Sequence, residues 1–262
     1  MPLLLWIILF SLLGGVLSVI AAGSFLLFPE RLRTQLLPHF VSFAIGSLLG
    51  VAFLGLLPHA ITANPNIDVH NIGLTVLIGI LVFFMLEKLV LWRHCHSSHC
   101  EVHTPEHHHD KSDQAAGIFI LIGDGLHNMV DGVLIAAAFM TDIHLGIVTS
   151  LAVAAHEIPQ EVGDFAILLH SGFARGKAFV FNIISSITTI IGALAAYYGL
   201  RGLESLLPYV LAIAASSFIY IAVADLIPGL HKRPHLGATL QQMTLIIAGV
   251  VVIYVVHATL HQ

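Results

Sequence analysis

The sequence predicts an all-α membrane protein of eight transmembrane helices. The mean hydropathy is +0.94. Only 10% of the residues are charged, where a soluble domain carries roughly 25%. Apolar stretches of about 20 residues or more follow one another along the chain, the length that crosses a hydrocarbon core of about 30 Å as helix. With 262 residues in all, little soluble mass is left over, and residues 1–262 read as one transmembrane domain.

The first span, 3–28, has no basic leader and no small-residue cleavage signal, and its apolar run is too long for a signal-peptide core, so it is expected to stay as a helix. Span 2, 39–61, contains Gly46 and Gly50 and ends in Leu56-Leu57-Pro58-His59-Ala60. Span 3, 70–92, ends with Glu87 and Lys88, which fit an anchoring or snorkelling role, and with Trp92, which like Trp6 fits the interfacial belt. Spans 4 and 5, 115–140 and 144–170, carry polar residues at mid-length. Span 6, 176–200, has Ala193 and Ala195, small enough, like Gly46 and Gly50, for close helix packing. Span 7, 207–229, places Asp225 ahead of Pro228, either to bond backbone that the proline frees or to act as a gate. Span 8 covers 239–260.

Orientation follows from the basic residues, which concentrate on the cytoplasmic side. Nine of the ten lie after odd-numbered spans: Arg31, Arg33, Lys88, Arg93, Lys111, Arg175, Lys177, Lys232 and Arg233, with Arg201 the exception. An even span count then leaves both termini outside, in the plasma (inner) membrane of the cell. The net charge of −5 offers no basic surface for nucleic acid. The expected partners are the lipid bilayer and metal ions, with a homodimer left open.

The composition shifts once, at about 93–114, in the predicted cytoplasmic loop after span 3. His94, His96, His99, His103, His107, His108 and His109 crowd there with Cys95 and Cys100, the only cysteines. A reducing compartment disfavours a disulfide. The segment reads either as a soft metal trap or as a polar linker, since no finger-type ligand spacing is present.

Span 4 holds the first chemical signal. At about 100° per residue, Asp124, His127, Asn128 and Asp131 share roughly one third of the helix circumference. Apolar residues flank them on both sides, so the stripe sits near mid-membrane and must face the bundle interior. Span 5 repeats the device with His156, Glu157, Gln160, Glu161 and Asp164, beside Pro159, which withholds a backbone donor. Imidazole, carboxylate and amide oxygen together suit a first-row divalent cation. Burying this many carboxylates with no cation would be very costly, which weighs against a purely structural polar network.

The pair His127-Asn128-Met129-Val130-Asp131-Gly132 and His156-Glu157-Ile158-Pro159-Gln160-Glu161-Val162-Gly163-Asp164 resembles the signature of the ZIP (Zrt/Irt-like) family of divalent metal transporters. The resemblance extends to Leu56-Leu57-Pro58-His59-Ala60, to Phe84-Met85-Leu86-Glu87-Lys88, to the His-rich loop and to Asp225-Leu226-Ile227-Pro228. It implies an inverted repeat of helices 1–3 and 6–8 around helices 4 and 5, and inward transport of zinc, or of iron, manganese, cobalt or cadmium, as substrate and not cofactor. It also implies a binuclear centre, with His127, Asp131, His156 and Gln160 as the principal position. Asn128, Glu157 and a shared Asp131 would form the second, with Glu161 nearby; His59 would meet the ion at the entrance, and Asp124 and Asp164 would line the route. Two departures from the family pattern stand out: Gln160 replaces the usual histidine or glutamate, and span 6 offers Asn182, Ser185 and Ser186 where some relatives have a carboxylate.

Enzyme readings fit less well. An intramembrane zinc protease needs H-E-x-x-H, and the second histidine is absent from His156-Glu157-Ile158-Pro159-Gln160. Paired Glu-x-x-His elements of a di-iron enzyme are missing from the spans. A metal-gated channel remains the alternative to a carrier.

Overall fold

The computed structural model describes residues 1–63, 67–95, 112–231 and 236–260, with backbone alone for 90–95, 112–116 and 260. Among these residues the chain is helical throughout its ordered elements, with no strand. It forms eight rods. α1 is Leu3–Phe25, α2 is Glu30–Thr62 and α7 is Glu204–Leu230. α3 is Val69–Cys95, α4 Ser112–Thr141, α5 Ile143–His170, α6 Arg175–Gly199 and α8 Leu236–Leu260.

Seven of the eight are long and apolar enough to cross a membrane by length and composition, which makes the chain an integral membrane protein. The exception is α5: His144, His156, Glu157, Gln160, Glu161 and Asp164 lower its hydropathy along much of its 28 residues. α2 starts at Glu30 and not near 39, because its first turns are polar and invisible to hydropathy. The helix continues through Pro38, whose fixed φ is helical and whose ring removes only one donor. Two rods contain a π-helical stretch that ends two residues before a proline: Ala52–Leu56 ahead of Pro58 in α2, and Ile221–Leu226 ahead of Pro228 in α7. A local π-turn is one way a membrane helix absorbs the donor that proline withholds.

Glycines set the closest helix approaches. On α4 and α6 the fit is reciprocal: a Cβ on Gly132 would stand 1.8 Å from the Thr189 carbonyl oxygen, and one on Gly192 2.0 Å from that of Met129. α2 and α8 repeat the arrangement, Gly46 meeting Ile246 and Gly249 meeting Phe43. α3 lies on α7, where Gly79 faces Ser216. Gly50 and Ala193 take part in such contacts as expected, but Ala195 is exposed and Gly192 and Ala196 occupy the packed face.

One residue, Asp142, separates α4 from α5, and its carboxylate caps α5 by accepting from the Leu145 N–H at 2.9 Å. The two helices therefore fold back as an antiparallel pair. Between that turn and mid-bundle the core is largely apolar: Leu134 to Phe139 of α4, Leu145, Val148, Ala152 and Val153 of α5, Leu48 and Val51 of α2, and Leu211 and Phe218 of α7 are all buried. Trp6 stacks on Phe10 and Phe139 at this end. At the other end Glu87 of α3 accepts a hydrogen bond from Tyr220 of α7, so it joins two helices as well as anchoring one.

Replacing Gly132 or Gly46 with leucine is expected to destabilise the protein by at least the roughly 1–3 kcal/mol typical of overpacking, read as a lower melting temperature in detergent. Gly73→Ala, where nothing lies within 4 Å of the added Cβ, should melt with the parent.

Candidate metal centre

His127 lies 14 residues before the end of α4 and Glu157 14 residues after the start of α5. At 1.5 Å rise per residue both sit about 21 Å from the turn, so the two polar stripes meet at the same depth. Four side chains converge there: His127 and Asp131 from α4, His156 and Glu157 from α5, with one ligand atom of each lying within 4.8 Å of the other three. The two imidazole Nε2 atoms are 3.3 Å apart. His127 Nε2 stands 3.3 Å from Glu157 Oε1 and 3.8 Å from Asp131 Oδ2. His156 Nε2 stands 3.2 Å from Asp131 Oδ2 and 3.4 Å from Glu157 Oε1.

These edges match a metal polyhedron. Nitrogen and oxygen ligands 2.0–2.1 Å from zinc stand about 3.3 Å apart at the corners of a tetrahedron. The orientation of His156 agrees: its Nδ1 donates to the Ala152 carbonyl oxygen at 3.2 Å. A carbonyl has no hydrogen to give, so the proton is on Nδ1 and the Nε2 lone pair faces the other ligands. Both oxygens of Asp131 and both of Glu157 are buried with no hydrogen bond of acceptable geometry, although imidazole nitrogens lie close by. Groups aimed at a common point rather than at one another leave that pattern, and a cation at the point would satisfy all four. Asp131, His156 and Glu157 are buried, and His127 retains 24% side-chain exposure, which leaves the cluster reachable from one side.

The remaining residues singled out in the sequence divide into three groups. Asn128 and Asp124 are buried and bonded to each other: Asn128 Nδ2 donates to Asp124 Oδ1 at 2.8 Å, and Asn128 Oδ1 accepts from Thr189 Oγ1 of α6 at 2.9 Å. Glu161 is buried with neither oxygen hydrogen-bonded, and Gln160 and Asp164 are half-buried. His59 lies apart, near the end of α2, with Nδ1 donating to the Gly55 carbonyl oxygen at 2.8 Å. Asp225 sits exposed in the π-turn of α7. His96, His99, His103, His107, His108 and His109 lie outside the described residues, and of His94 only the backbone, in the last turn of α3, is described.

Two features escaped sequence reading. Glu157, which the family resemblance places in the second position, stands with His127, Asp131 and His156. Thr189 ties α6 to Asn128; a Thr188-Thr189 pair inside an apolar helix was the available signal.

Comparison with known proteins decides the family: the model described as "ZIP Zinc transporter" matches residues 3–257. The chain belongs to the ZIP family. Members are metal transporters and not enzymes. It is similar to the zinc transporter ZIP13 of Pongo abelii, at 33% identity over 92% of this chain and 76% of the relative. Human ZIP13 is 31% identical over 92% of this chain and 79% of its own length. The zinc transporter zipt-7.1 of Caenorhabditis briggsae is 29% identical over 93% and 78%.

Zinc held by this cluster should stabilise the purified protein by about 2.7 kcal/mol at a hundredfold excess over Kd. In His156→Ala or Glu157→Gln the zinc-dependent rise in melting temperature is expected to shrink or disappear, as thermal melts with and without zinc would record.

Proposed function

We propose that this ZIP-family chain carries divalent metal, zinc foremost, into the cytoplasm through a binuclear centre between α4 and α5. The observation that carries this reading is the buried convergence of His127, Asp131, His156 and Glu157 on one point at mid-bundle. Its principal position uses these four, with Gln160 one turn along α5. The second draws on Asn128, Glu157, the shared Asp131 and the neighbouring Glu161. Occupying it requires Asn128 to give up its bonds to Thr189 and Asp124, which makes it the weaker of the two. Gln160 supplies an amide where relatives have stronger donors, and Fe²⁺, Mn²⁺, Co²⁺ and Cd²⁺ compete for the same set of nitrogen and oxygen ligands.

The direction of transport is read from the asymmetry of the bundle. One half, toward the α4–α5 turn, is sealed by apolar packing. The other carries Asp124, Glu161, half-buried Asp164 and exposed Asp225 and Glu87, a polar descent for a released cation. With the basic residues on the cytoplasmic side, both termini face outward, the polar half opens inward, and the protein resides in the plasma (inner) membrane. Metal enters past His59. The helices form a single domain, 1–262, and the His-rich segment at about 93–114 receives the ion or buffers it.

An inverted repeat of α1–α3 and α6–α8 fits the pairing of α3 with α7 and of α8 with α2, and the matching π-turn and proline in α2 and α7. Alternating access about such a repeat is a common transporter plan. A homodimer also fits, since the apolar outer faces of α3 and α8 are left uncovered by the monomer.

In proteoliposomes the parent is expected to accumulate radioactive zinc saturably, and His127→Ala and Asp131→Ala should lose at least tenfold in rate while melting as folded proteins. Normal uptake by both variants would overturn the site assignment.

A further inference from the structure

α4 and α6 run parallel, and they separate toward their N-terminal ends. At Gly132 and Gly192 the two backbones touch, but a Cβ on Gly125 would stand 3.8 Å from the nearest atoms, those of Ser185 and Thr188. The splay leaves a groove of about 380 Å³ between the two helices, within the roughly 300–1,000 Å³ range of small-ligand sites. Its walls are apolar, formed by Ile118, Ile122, Leu126 and Met129 of α4 with Phe181 and Ile184 of α6. All of these but Phe181 are exposed, so the groove opens outward to the bilayer. The two hydroxyls that line it are bonded to backbone: Thr188 Oγ1 donates to the Gly125 carbonyl oxygen at 2.6 Å, and Ser185 Oγ to that of Asn182 at 3.0 Å. An occupant therefore meets hydrocarbon.

Length and charge select that occupant. From Ile118 to Met129 the groove follows α4 for about 16 Å at 1.5 Å per residue, close to the roughly 15 Å of one leaflet, half of a 30 Å core. Met129 lies beside His127 and Asn128, so one end of the groove is near mid-membrane. The other end is basic. Lys177 Nζ stands 5.3 Å and 5.4 Å from the ring centroids of Phe173 and Phe181. Phe181 lines the groove and Phe173 abuts Gly117, the residue before Ile118, so the ammonium sits at the groove's rim. A cation–π contact leaves its three N–H donors available to an anion. Arg175 is exposed two residues earlier, and between Asp164 and Glu204 the chain has no carboxylate to neutralise the pair.

We propose that this groove holds one acyl chain of an anionic phospholipid, whose phosphate is bound by Arg175 and Lys177. The lipid fills the opening between α4 and α6 and covers the outer face of the helix that carries His127 and Asp131. This requires only that the chain lies in a bilayer, and it stands or falls independently of which ion the protein carries and in which direction.

The test is native mass spectrometry of the full chain after exposure to phosphatidylglycerol or, separately, to phosphatidylcholine with the same acyl chains. One phosphatidylglycerol per chain is expected to stay bound, with an affinity roughly tenfold or more above that for phosphatidylcholine. Arg175→Gln/Lys177→Gln should lose this preference. Ile184→Trp, which fills the groove, should lose the lipid, while Ile187→Trp, also on an exposed position of α6 but outside the groove, should keep it. The glutamine variant changes only exposed side chains, so it decides the matter even if Ile184→Trp fails to fold. Equal retention of the two lipids by the parent, or an undiminished preference in the glutamine variant, refutes the proposal, as does a lipid retained by folded Ile184→Trp. Glycerol 3-phosphate, which has the phosphate but no acyl chain, should not displace the lipid; displacement would show a site for soluble phosphate and overturn the proposal.

Discussion

Two carboxylates and two imidazoles cannot be packed into an apolar bundle unless something compensates them, and this requirement organises the protein around Asp131, His156 and Glu157. An unpaired charge in low dielectric carries a desolvation penalty of several kcal/mol even after relaxation. The four ligand side chains offset one another only in part, because their lone pairs converge on one point and leave the carboxylate oxygens without proper hydrogen bonds. A divalent cation at that point would satisfy all four together.

The surroundings are built for that. A single connecting residue sets α4 against α5 at matched depth, and the Asp142 cap fixes where α5 begins. Reciprocal glycine contacts bring the backbones of α4 and α6 together, and those of α2 and α8, where larger residues would collide with carbonyl oxygens. Buried glycine and alanine faces of this kind let helices pack closely in a membrane, where the hydrophobic effect contributes little to association between spans. The close-packed apolar half and the more polar half then differ in what they admit. The π-turn of α2 packs against α5 and α7, and that of α7 packs against α2.

Most of the fold was legible because hydropathy and helical periodicity act locally. Seven spans, 3–28 and the six from 70–92 through 239–260, agree with the observed helices to within a few residues, while the polar start of α2 carries no apolar signal and was missed. The stripes of α4 and α5 were legible for the same reason: residues three and four apart share a face. What the sequence could not supply is the relation between helices. Periodicity cannot say that Glu157 reaches His127, nor that Thr189 engages the Asn128 amide. The ring contact of His59 with His257 was unreadable too, since it follows from the parallel register of α2 and α8. Ala195 was placed in a contact that Gly192 and Ala196 fill, a rotation of about one residue around α6.

X-ray absorption at the zinc edge, on the purified chain loaded with one equivalent of zinc, tests the central claim most directly. The account predicts a shell of nitrogen and oxygen ligands at about 2.0–2.1 Å, with the outer scattering of two imidazoles and no sulfur. In a His127→Ala/His156→Ala variant that imidazole signal should weaken. A sulfur shell near 2.3 Å, or an imidazole signal unchanged in the double variant, would contradict it.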